Sequence, residues 1–315
     1  MALLAVEQLC IDYPARRVVD GLGFRLEAGR CLGLVGESGS GKSQTALALI
    51  GLLPTGARAS GSVCFEGREL LALPERERAR LLGARIGMVF QDPMTSLNPY
   101  LRIGAQLAEV LMHHRGLGQA AALAESQRML EAVRIGGAAR RLRQYPHELS
   151  GGMRQRVMIA MMLLLKPPLL IADEPTTALD VTVQASILHL LAELRRDFGL
   201  ALLMISHDLG VIADIADELL VLYGGRMMER GPVAAVLAAP RHPYTRGLLA
   251  ARPRMDDPLD QPLFAIPGTP PAGGVAPGAC GFAPRCASAD GRCTREQPAW
   301  RRLEPEREVA CHHAA

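Results

Sequence analysis

Residues 36–43 read GESGSGKS, a glycine-rich segment whose residue types suit the binding of phosphate groups. The segment fits the pattern G-x-x-x-x-G-K-[ST], in which the glycines let the backbone curl so that its N–H groups point toward phosphate oxygens. Lys42 would place a positive charge on the outer phosphates, and Ser43 would offer a hydroxyl to Mg²⁺. The phosphate-binding residues predicted here are Gly36, Glu37, Ser38, Gly39, Ser40, Gly41, Lys42 and Ser43.

A second pattern suited to an anion lies much later in the chain, in LSGGMRQR at 149–156. Ser150, Gly151 and Gly152 precede a segment that reads as a helix, and a helix N-terminus attracts negative charge. Alternatively, Ser150 only caps the helix. A cap does not need two glycines, each of which disfavours a helix by about 1 kcal/mol. The sequence therefore predicts two separate anion-binding segments in one chain.

Polar side chains also follow three apolar segments. Asp173 and Glu174 end PLLIADEP, Gln91 follows VF in VFQDP, and His207 follows MIS in MISHD. Ligands of open α/β sheets bind at the carboxyl ends of the strands. An Asp in such a place can hold Mg²⁺ and a neighbouring Glu can polarise an attacking water, which is the division of labour that phosphoryl transfer requires. We expect these side chains and the glycine-rich loop to converge on one γ-phosphate and its water.

The elements that must position these residues are short buried strands alternating with helices. Residues 30–35, 84–90, 168–173 and 200–206 are apolar runs bounded by polar or turn residues, as in strands buried on both faces. Residues 181–198 carry an apolar face at helical spacing, formed by Val183, Ile187, Leu190, Leu191 and Leu194. This alternation predicts an α/β layered domain.

Composition along the chain suggests the domain limits. Residues 92–160 are mostly helical in pattern and read as an inserted helical subdomain of a core at 1–231. Residues 232–315 form an extension that is rich in proline, which excludes long helices and central strands. We therefore expect an irregular extension.

The whole-chain totals exclude several classes of protein. The 315 residues carry a net charge of +3 spread along the chain, which gives no reason to expect nucleic acid as a partner. The start, MALLAVEQLC, lacks the positive region of a secretory signal, and the longest uncharged apolar run, 157–165, is too short to span a bilayer. We expect a soluble, cytosolic chain.

The seven cysteines are unevenly distributed. Cys10, Cys31 and Cys64 are scattered, and we expect them to be small core residues. The other four crowd near the end of the chain with the spacing C-x5-C-x6-C-x17-C, and they are Cys280, Cys286, Cys293 and Cys311. Without a secretory signal, such a cluster favours a metal over disulfides, and four thiolates suit Zn²⁺ or an iron–sulfur cluster.

The order of these motifs resembles that of the ATPase subunits of ABC transporters, over residues 1–231. The motifs that carry the resemblance are GESGSGKS, the glutamine of VFQDP, LSGGMRQR, LLIADEP, TALD and the histidine of ISHD. It implies a P-loop NTPase fold with a mixed sheet core and an inserted helical subdomain, and hydrolysis of ATP with Mg²⁺. Every position that the family uses for hydrolysis carries its expected residue type.

The resemblance also implies a role for each site residue. Tyr13 would stack on adenine, Ser43, Gln91 and Asp173 would hold Mg²⁺, and the catalytic residues would be Glu174, His207 and Gln91. Two ATPase subunits would dimerise head to tail, so that Ser150, Gly151 and Gly152 face the nucleotide held by the partner. Asp180 of TALD would lie at that interface, and Gln91 would be the hinge of the helical subdomain.

The extension resembles that of the oligopeptide/dipeptide and nickel importer ATPases. RHPYTRGLL (241–249), IPGTPP (266–271) and CGFAPRC (280–286) carry this resemblance. It implies a peptide importer, with a nickel or other small-solute importer as the alternative. It also implies a [4Fe–4S] cluster on the four cysteines, with Zn²⁺ or no metal as alternatives. His312 and His313 could substitute as ligands, but we expect them to be solvated. We expect His242, Pro243 and Tyr244 to be packing and turn residues.

The implied assembly contains a second, related ATPase subunit, two transmembrane permeases and an external solute-binding protein, with this chain peripheral on the cytoplasmic face of the bacterial inner membrane. Other hypotheses are a soluble ABC ATPase that acts on DNA or ribosomes and a metal-sensing regulator. The chain lacks the long coiled-coil insertion and the basic stripe of the former, and the full hydrolytic set argues against the latter. The sequence does not specify the solute, or whether the two ATPase chains are identical.

Overall fold

The computed structural model describes residues 2–91, 96–177, 179–252, 264–271 and 278–314. The chain forms two compact units. Unit 1 comprises residues 1–73 and 204–315, and unit 2 comprises residues 74–203. The chain therefore leaves unit 1, builds unit 2 and returns to complete unit 1.

The strands and helices of the described residues are numbered here in chain order. The strands are β1 Leu4–Tyr13, β2 Arg16–Leu26, β3 Cys31–Val35, β4 Arg58–Phe65, β5 Arg68–Glu69, β6 Ile86–Val89, β7 Leu169–Asp173, β8 Ala201–Ser206, β9 Glu218–Tyr223, β10 Arg226–Pro232, β11 Arg301–Glu304 and β12 Arg307–Val309. The α-helices are α1 Lys42–Ile50, α2 Glu75–Leu81, α3 Ile103–Arg115, α4 Gln119–Ala132, α5 Ala138–Arg141, α6 Gly151–Leu163, α7 Val181–Phe198, α8 Leu209–Ile215, α9 Val233–Ala238 and α10 Pro243–Ala250. Two 3₁₀ turns occupy Pro146–Glu148 and Ala283–Arg285.

Unit 1 contains two arrays of strands. In the first, β1 pairs antiparallel with both β2 and β4, and β4 pairs antiparallel with β5. In the second, β3 pairs parallel with β9, β9 pairs antiparallel with β10, and β12 pairs with both β10 and β11. Parallel and antiparallel pairing in one array gives the mixed sheet that the sequence predicted. All five residues of β3 are buried, as expected for a strand covered on both faces.

Unit 2 combines a parallel strand pair with helices. Strand β6 pairs with β7 in parallel, from Ile86 opposite Leu169 to Val89 opposite Ala172. Helices α3 to α5 lie within the segment predicted to be helical, and α6 begins in it and ends at Leu163, just beyond its limit. Helix α7 has the predicted bounds, and its buried residues are Ile187, Leu188, Leu190, Leu191 and Leu194. The predicted face included Val183 instead of Leu188, but Val183 is only half-buried because it lies in the first turn of the helix.

The extension is more regular than we expected. Strand β12 lies between β10 and β11 and is therefore not an edge strand, and α9 and α10 begin the extension. The expectation of no central strand was wrong because proline is concentrated elsewhere, and β12 itself contains none. Residues 232–315 belong to unit 1.

The scattered cysteines differ in burial. Cys31 is buried in β3, as predicted, whereas Cys10 and Cys64 are half-buried in β1 and β4. Among the described residues, none of the helices combines the length and apolar character that a membrane span requires.

Candidate nucleotide-binding site

The glycine-rich loop joins the end of β3 to the start of α1, as the pattern requires. A Cβ atom on Gly36 would lie 2.1 Å from the carbonyl oxygen of Leu222 in β9, so only glycine fits where the loop leaves the sheet. Gly41 has left-handed backbone angles, with φ 100°, and occupies the N-cap position of α1. The loop is thus folded against the carboxyl end of β9 and opens directly onto a helix N-terminus, which favours an anion.

Lys42 is the first residue of α1 and folds back over the loop. Its Nζ donates hydrogen bonds to the carbonyl oxygens of Gly36, at 2.7 Å, and Glu37, at 3.1 Å. The residue is only 5% exposed. The ammonium group is therefore held at the loop by main-chain oxygens, where it can meet a phosphate group.

The loop also contacts the extension, which the sequence reasoning did not predict. The backbone N–H of Glu37 donates to the Tyr244 hydroxyl at 2.8 Å. The Glu37 carboxylate accepts two hydrogen bonds from the Arg285 guanidinium, at 2.6 and 3.0 Å. Tyr244 belongs to the segment RHPYTRGLL and Arg285 to CGFAPRC, so the only signal in the sequence was the resemblance of the extension.

Tyr13, the predicted adenine contact, is the last residue of β1 and is half-buried. Its hydroxyl donates to Gln44 Oε1 at 2.6 Å, in the first turn of α1. The Arg16 guanidinium carbon lies 5.9 Å from the centre of its ring. The ring is thus tied to the helix that begins at the phosphate loop.

In unit 2, the acidic pair lies at the end of β7, as predicted. Asp173 is its last residue and is 6% exposed. Glu174 follows with φ 47°, a left-handed conformation that is uncommon for a residue with a side chain and occurs at functional sites. Its Oε2 accepts hydrogen bonds from Gln91 Nε2, at 3.1 Å, and Thr177 Oγ1, at 2.9 Å. The structure therefore brings together two of the predicted catalytic residues, Gln91 and Glu174.

The second anion segment forms the N-terminus of α6. Ser150 is the N-cap, and its Oγ accepts from the Met153 N–H at 3.4 Å. Gly151 is exposed and Gly152 half-buried. A Cβ on Gly152 would lie 2.6 Å from Cγ1 of Val183 in α7, so the glycine lets the beginnings of the two helices pack closely. Ser150 thus caps α6 and the packing accounts for Gly152, whereas a Cβ on Gly151 would meet only Leu179 Cδ2 at 3.6 Å, an ordinary contact.

Asp180 and His207 both lie at the ends of secondary-structure elements. Asp180 is the exposed N-cap of α7, where its Oδ1 accepts from the Val183 N–H at 2.9 Å. His207 directly follows β8 and is exposed. Both therefore present polar side chains at the positions that the sequence predicted.

The four clustered cysteines lie near one another at the end of unit 1. Burial raises the pKa of the Cys280 thiol, and the neighbouring Cys293 and Cys311 raise it further. Burial likewise raises the pKa of Cys286, with a contribution from Cys311, and that of Cys293, with a contribution from Cys286. The shifts at Cys280, Cys286 and Cys293 thus each include a contribution from another cysteine of the set, although backbone N–H groups that point at the sulfurs partly offset the shifts of Cys280 and Cys286.

A histidine and a carboxylate join this cluster. His313 Nε2 lies 3.5 Å from Cys293 Sγ and 3.4 Å from Asp290 Oδ2, and single donor atoms of the three residues lie within 4.8 Å of one another. His313 is exposed, as expected, and the turn in which it lies also brings its ring against Cys293. His312 is half-buried, and its Nε2 lies 3.0 Å from the Glu296 carbonyl oxygen.

Comparison with family models gives two matches. Residues 19–177 match the model described as ABC transporter, and residues 228–293 match the C-terminal region of oligopeptide/dipeptide transporters. Both resemblances seen in the motifs are confirmed by these matches.

Known relatives cover nearly the whole chain. It is 57% identical over 300 residues to the oligopeptide transport ATP-binding protein OppD of Salmonella typhimurium, covering 94% of this chain and 89% of that protein. OppD of Haemophilus influenzae is 55% identical, with 92% and 91% covered.

Solved structures support the fold. CbiO1 of Clostridium perfringens, described as part of the ABC transporter complex cbiONQ, gives a TM-score of 0.67 at 26% identity, covering 75% of this chain and 91% of that one. The ATP-binding cassette MJ0796 gives 0.65 at 24% identity, covering 73% and 98%.

Proposed function

We propose that this chain, which belongs to the ABC transporter family and is an ATPase of that family, energises the import of oligopeptides across a membrane. The observation that carries the proposal is the 57% identity to an oligopeptide transport ATP-binding protein over 94% of the chain. The match of residues 228–293 to the extension of oligopeptide/dipeptide transporters supports peptides over nickel or another small solute.

In unit 1, the glycine-rich loop and Lys42 bind the ATP phosphates. The loop is positioned by β3 and β9, and Lys42 Nζ is held at its main-chain oxygens, so the positive charge is in place before a nucleotide arrives. Tyr13, fixed by its hydrogen bond to Gln44, stacks on the adenine. A site built before binding loses less entropy when its ligand is ordered.

The Mg²⁺ that accompanies ATP is held by Ser43, Asp173 and Gln91 in this proposal. A hydroxyl, a carboxylate and an amide oxygen are the hard oxygen ligands that Mg²⁺ prefers. Bound there, the ion neutralises charge on the phosphate oxygens.

Glu174 orients the attacking water and accepts its proton. Gln91 and Thr177 both donate to its Oε2, and these two hydrogen bonds fix the carboxylate in one orientation. A positioned base of this kind accelerates a reaction by about 10²–10⁴-fold. His207, at the end of β8, is the further polar group that we assign to the γ-phosphate.

A second ATPase subunit completes the site. Ser150, Gly151 and Gly152 present a helix N-terminus, which suits an anion held by another chain. Asp180 caps α7, whose start packs against Gly152, so it couples that helix end to the interface. We expect the partner to be a related but different chain.

The remaining partners are two permeases and a solute-binding protein, with this chain peripheral on the cytoplasmic face of the bacterial inner membrane. ATP favours the closed dimer because it binds that state better, and hydrolysis lets the subunits part. Gln91 acts as the hinge through which the helical segment 92–160 follows the nucleotide.

The cysteine cluster binds a metal group that fastens the extension. The pKa values of the Cys280, Cys286 and Cys293 thiols each respond to another cysteine of the set, and N–H groups point at the sulfurs of Cys280 and Cys286, which suits an iron–sulfur centre. We propose a [4Fe–4S] cluster on Cys280, Cys286, Cys293 and Cys311. Zinc is the alternative, favoured by the neighbouring Asp290 and His313.

The function is tested on a tagged full-length chain extracted from membranes of cells that overproduce it. We expect two membrane proteins to co-purify, and ATP hydrolysis to rise when a peptide-loaded binding protein is added. Stimulation by a Ni²⁺-loaded binding protein instead would assign the alternative substrate. Co-purification with ribosomes or DNA, and no response to either solute, would refute transport.

A further inference from the structure

The extension touches the phosphate loop at Glu37, the second residue of the glycine-rich segment. Arg285 reaches this residue from 248 positions away in the sequence and binds both of its carboxylate oxygens. The Arg285 side chain is 4% exposed and that of Glu37 is 25% exposed. The pair is therefore a partly buried, bidentate ion pair between the phosphate loop and the 3₁₀ turn that precedes Cys286.

All three nitrogens of the Arg285 guanidinium donate hydrogen bonds. Its Nε donates to the Pro267 carbonyl oxygen at 2.8 Å, and Nη2 donates to that of Ile266 at 3.2 Å as well as to Glu37. Nη1 donates to Glu37 and lies 3.4 Å from the Tyr223 hydroxyl. Only the planar fork of arginine supplies this set of donors, because lysine is a point charge on a flexible stem.

The charge of Glu37 makes this contact relevant to nucleotide. A carboxylate in a loop that binds a triphosphate repels its ligand, since like charges brought together without a counter-charge are unfavourable. Arg285 balances that charge and binds both oxygens, which also keeps the carboxylate directed toward the extension.

Tyr244 acts on the main chain of the same residue. Its ring is fully buried between Tyr223, at a centroid distance of 4.6 Å, and Phe282, at 5.2 Å. Its hydroxyl accepts the Glu37 N–H. Because the ring cannot turn away, it fixes the direction of the Gly36–Glu37 peptide, whose carbonyl oxygen, that of Gly36, accepts from Lys42 Nζ at 2.7 Å.

We propose that Arg285 and Tyr244 of the extension are positioning residues of the nucleotide site: Arg285 neutralises Glu37 and Tyr244 fixes its peptide, so that the loop accepts a triphosphate. The inference rests on the proposed function only in that the loop binds ATP. The extension then contributes directly to the affinity for ATP, and this role is separate from any binding of a metal by its cysteines.

The test is ATP binding by the full-length chain, titrated with a fluorescent ATP analogue and competed with ATP. We expect Arg285→Gln to raise the Kd about tenfold or more, because the Glu37 charge is left unbalanced. The double variant Glu37→Gln/Arg285→Gln, which restores the charge balance with a neutral hydrogen-bonded pair, should return to within about threefold of the wild type. A structural role alone would make the double variant no better than Arg285→Gln.

Arg292→Ala is the matched control. Arg292 also directly precedes a cysteine of the cluster, but it pairs with Glu296 and is exposed, with 61% of its side chain accessible. Its loss should leave the Kd unchanged. If Arg285→Gln does not fold, the double variant decides by itself: a Kd within threefold of the wild type supports charge balance, and a tenfold weaker one refutes it.

The outcomes separate this inference from the proposed function. A wild-type chain that does not bind ATP would refute the function of the loop. A wild-type chain that binds ATP, together with an Arg285→Gln variant that binds it equally well, would refute only the role of the extension. Tyr244→Phe supplies a further check, since it leaves the ion pair and removes the acceptor of the Glu37 N–H, and it too should weaken binding.

Discussion

His242 makes the stability of unit 1 depend on pH. It caps α10, the helix that carries Tyr244, because its Nδ1 accepts the Tyr244 N–H at 3.0 Å. The residue is 1% exposed. Burial, and secondarily the charge of Arg246, lower its pKa from 6.5 to about 3. Below pH 6.5 the unfolded chain therefore binds a proton that the folded chain does not accept until about pH 3.

The magnitude follows from this difference between the two pKa values. Stability that His242 contributes is present above pH 6.5 and is lost as the pH falls toward 3. At pH 5 the unfolded state gains about 2 kcal/mol from protonation, and at pH 7 it gains only about 0.2 kcal/mol. For a unit of this size, about 2 kcal/mol corresponds to a decrease in Tm of roughly 4–8 °C.

The assay compares the wild type with His242→Asn at pH 7 and pH 5. Asparagine is a good N-cap whose oxygen can replace Nδ1, but it does not titrate. Urea unfolding is followed by the fluorescence of Trp300, the single tryptophan, which lies in unit 1. We expect acid to cost the wild type about 2 kcal/mol more than the variant, with the exposed His189→Asn behaving as the wild type. Equal losses in wild type and His242→Asn would refute the assignment.

Three further predictions concern the site and the cysteine cluster. Glu174→Gln should retain ATP binding, because the amide oxygen can still accept from its neighbours, but slow hydrolysis in the assembled complex by about 10²–10⁴-fold; unchanged turnover would remove Glu174 from its role. Lys42→Ala should raise the Kd for ATP by about tenfold or more, whereas Lys166→Ala, which replaces the only other lysine, should not; undiminished binding would contradict the loop assignment. The protein should be brown, and Cys286→Ser should remove the colour while Cys64→Ser keeps it; a colourless protein with stoichiometric zinc after anaerobic purification would exclude iron–sulfur.

The buried strands and helix α7 were predictable because the pattern of apolar residues along each of them is regular. Strands such as β3 and β7 are apolar throughout, and α7 shows a clear helical period, so local patterns determine them. Strand β1 was not predicted as such. Its pairing is interrupted by register shifts between Val6 and Ile11, where Gln8 has φ 50°, and these shifts break the simple alternation that marks a strand.

The site was predictable where its residues follow motif spacing. The hydrogen bond between Gln91 and Glu174 joins residues that the sequence had assigned to one phosphate, and the capping by Ser150 was also anticipated. The pairing of Glu37 with Arg285 was not, because no spacing rule connects an acidic residue in a loop with an arginine in a proline-rich extension. The sequence offered His313 only as an alternative ligand, since its approach to Cys293 depends on a turn that no spacing rule describes.

The order of the chain through the two units has a consequence for biosynthesis. Strand β3 is translated before its parallel partner β9. Arg285, which binds Glu37, is translated 248 residues after Glu37. At 5–20 residues per second this delay lasts roughly 12–50 s. A nascent chain therefore cannot form the full set of contacts around its phosphate loop until residue 285 has been synthesised.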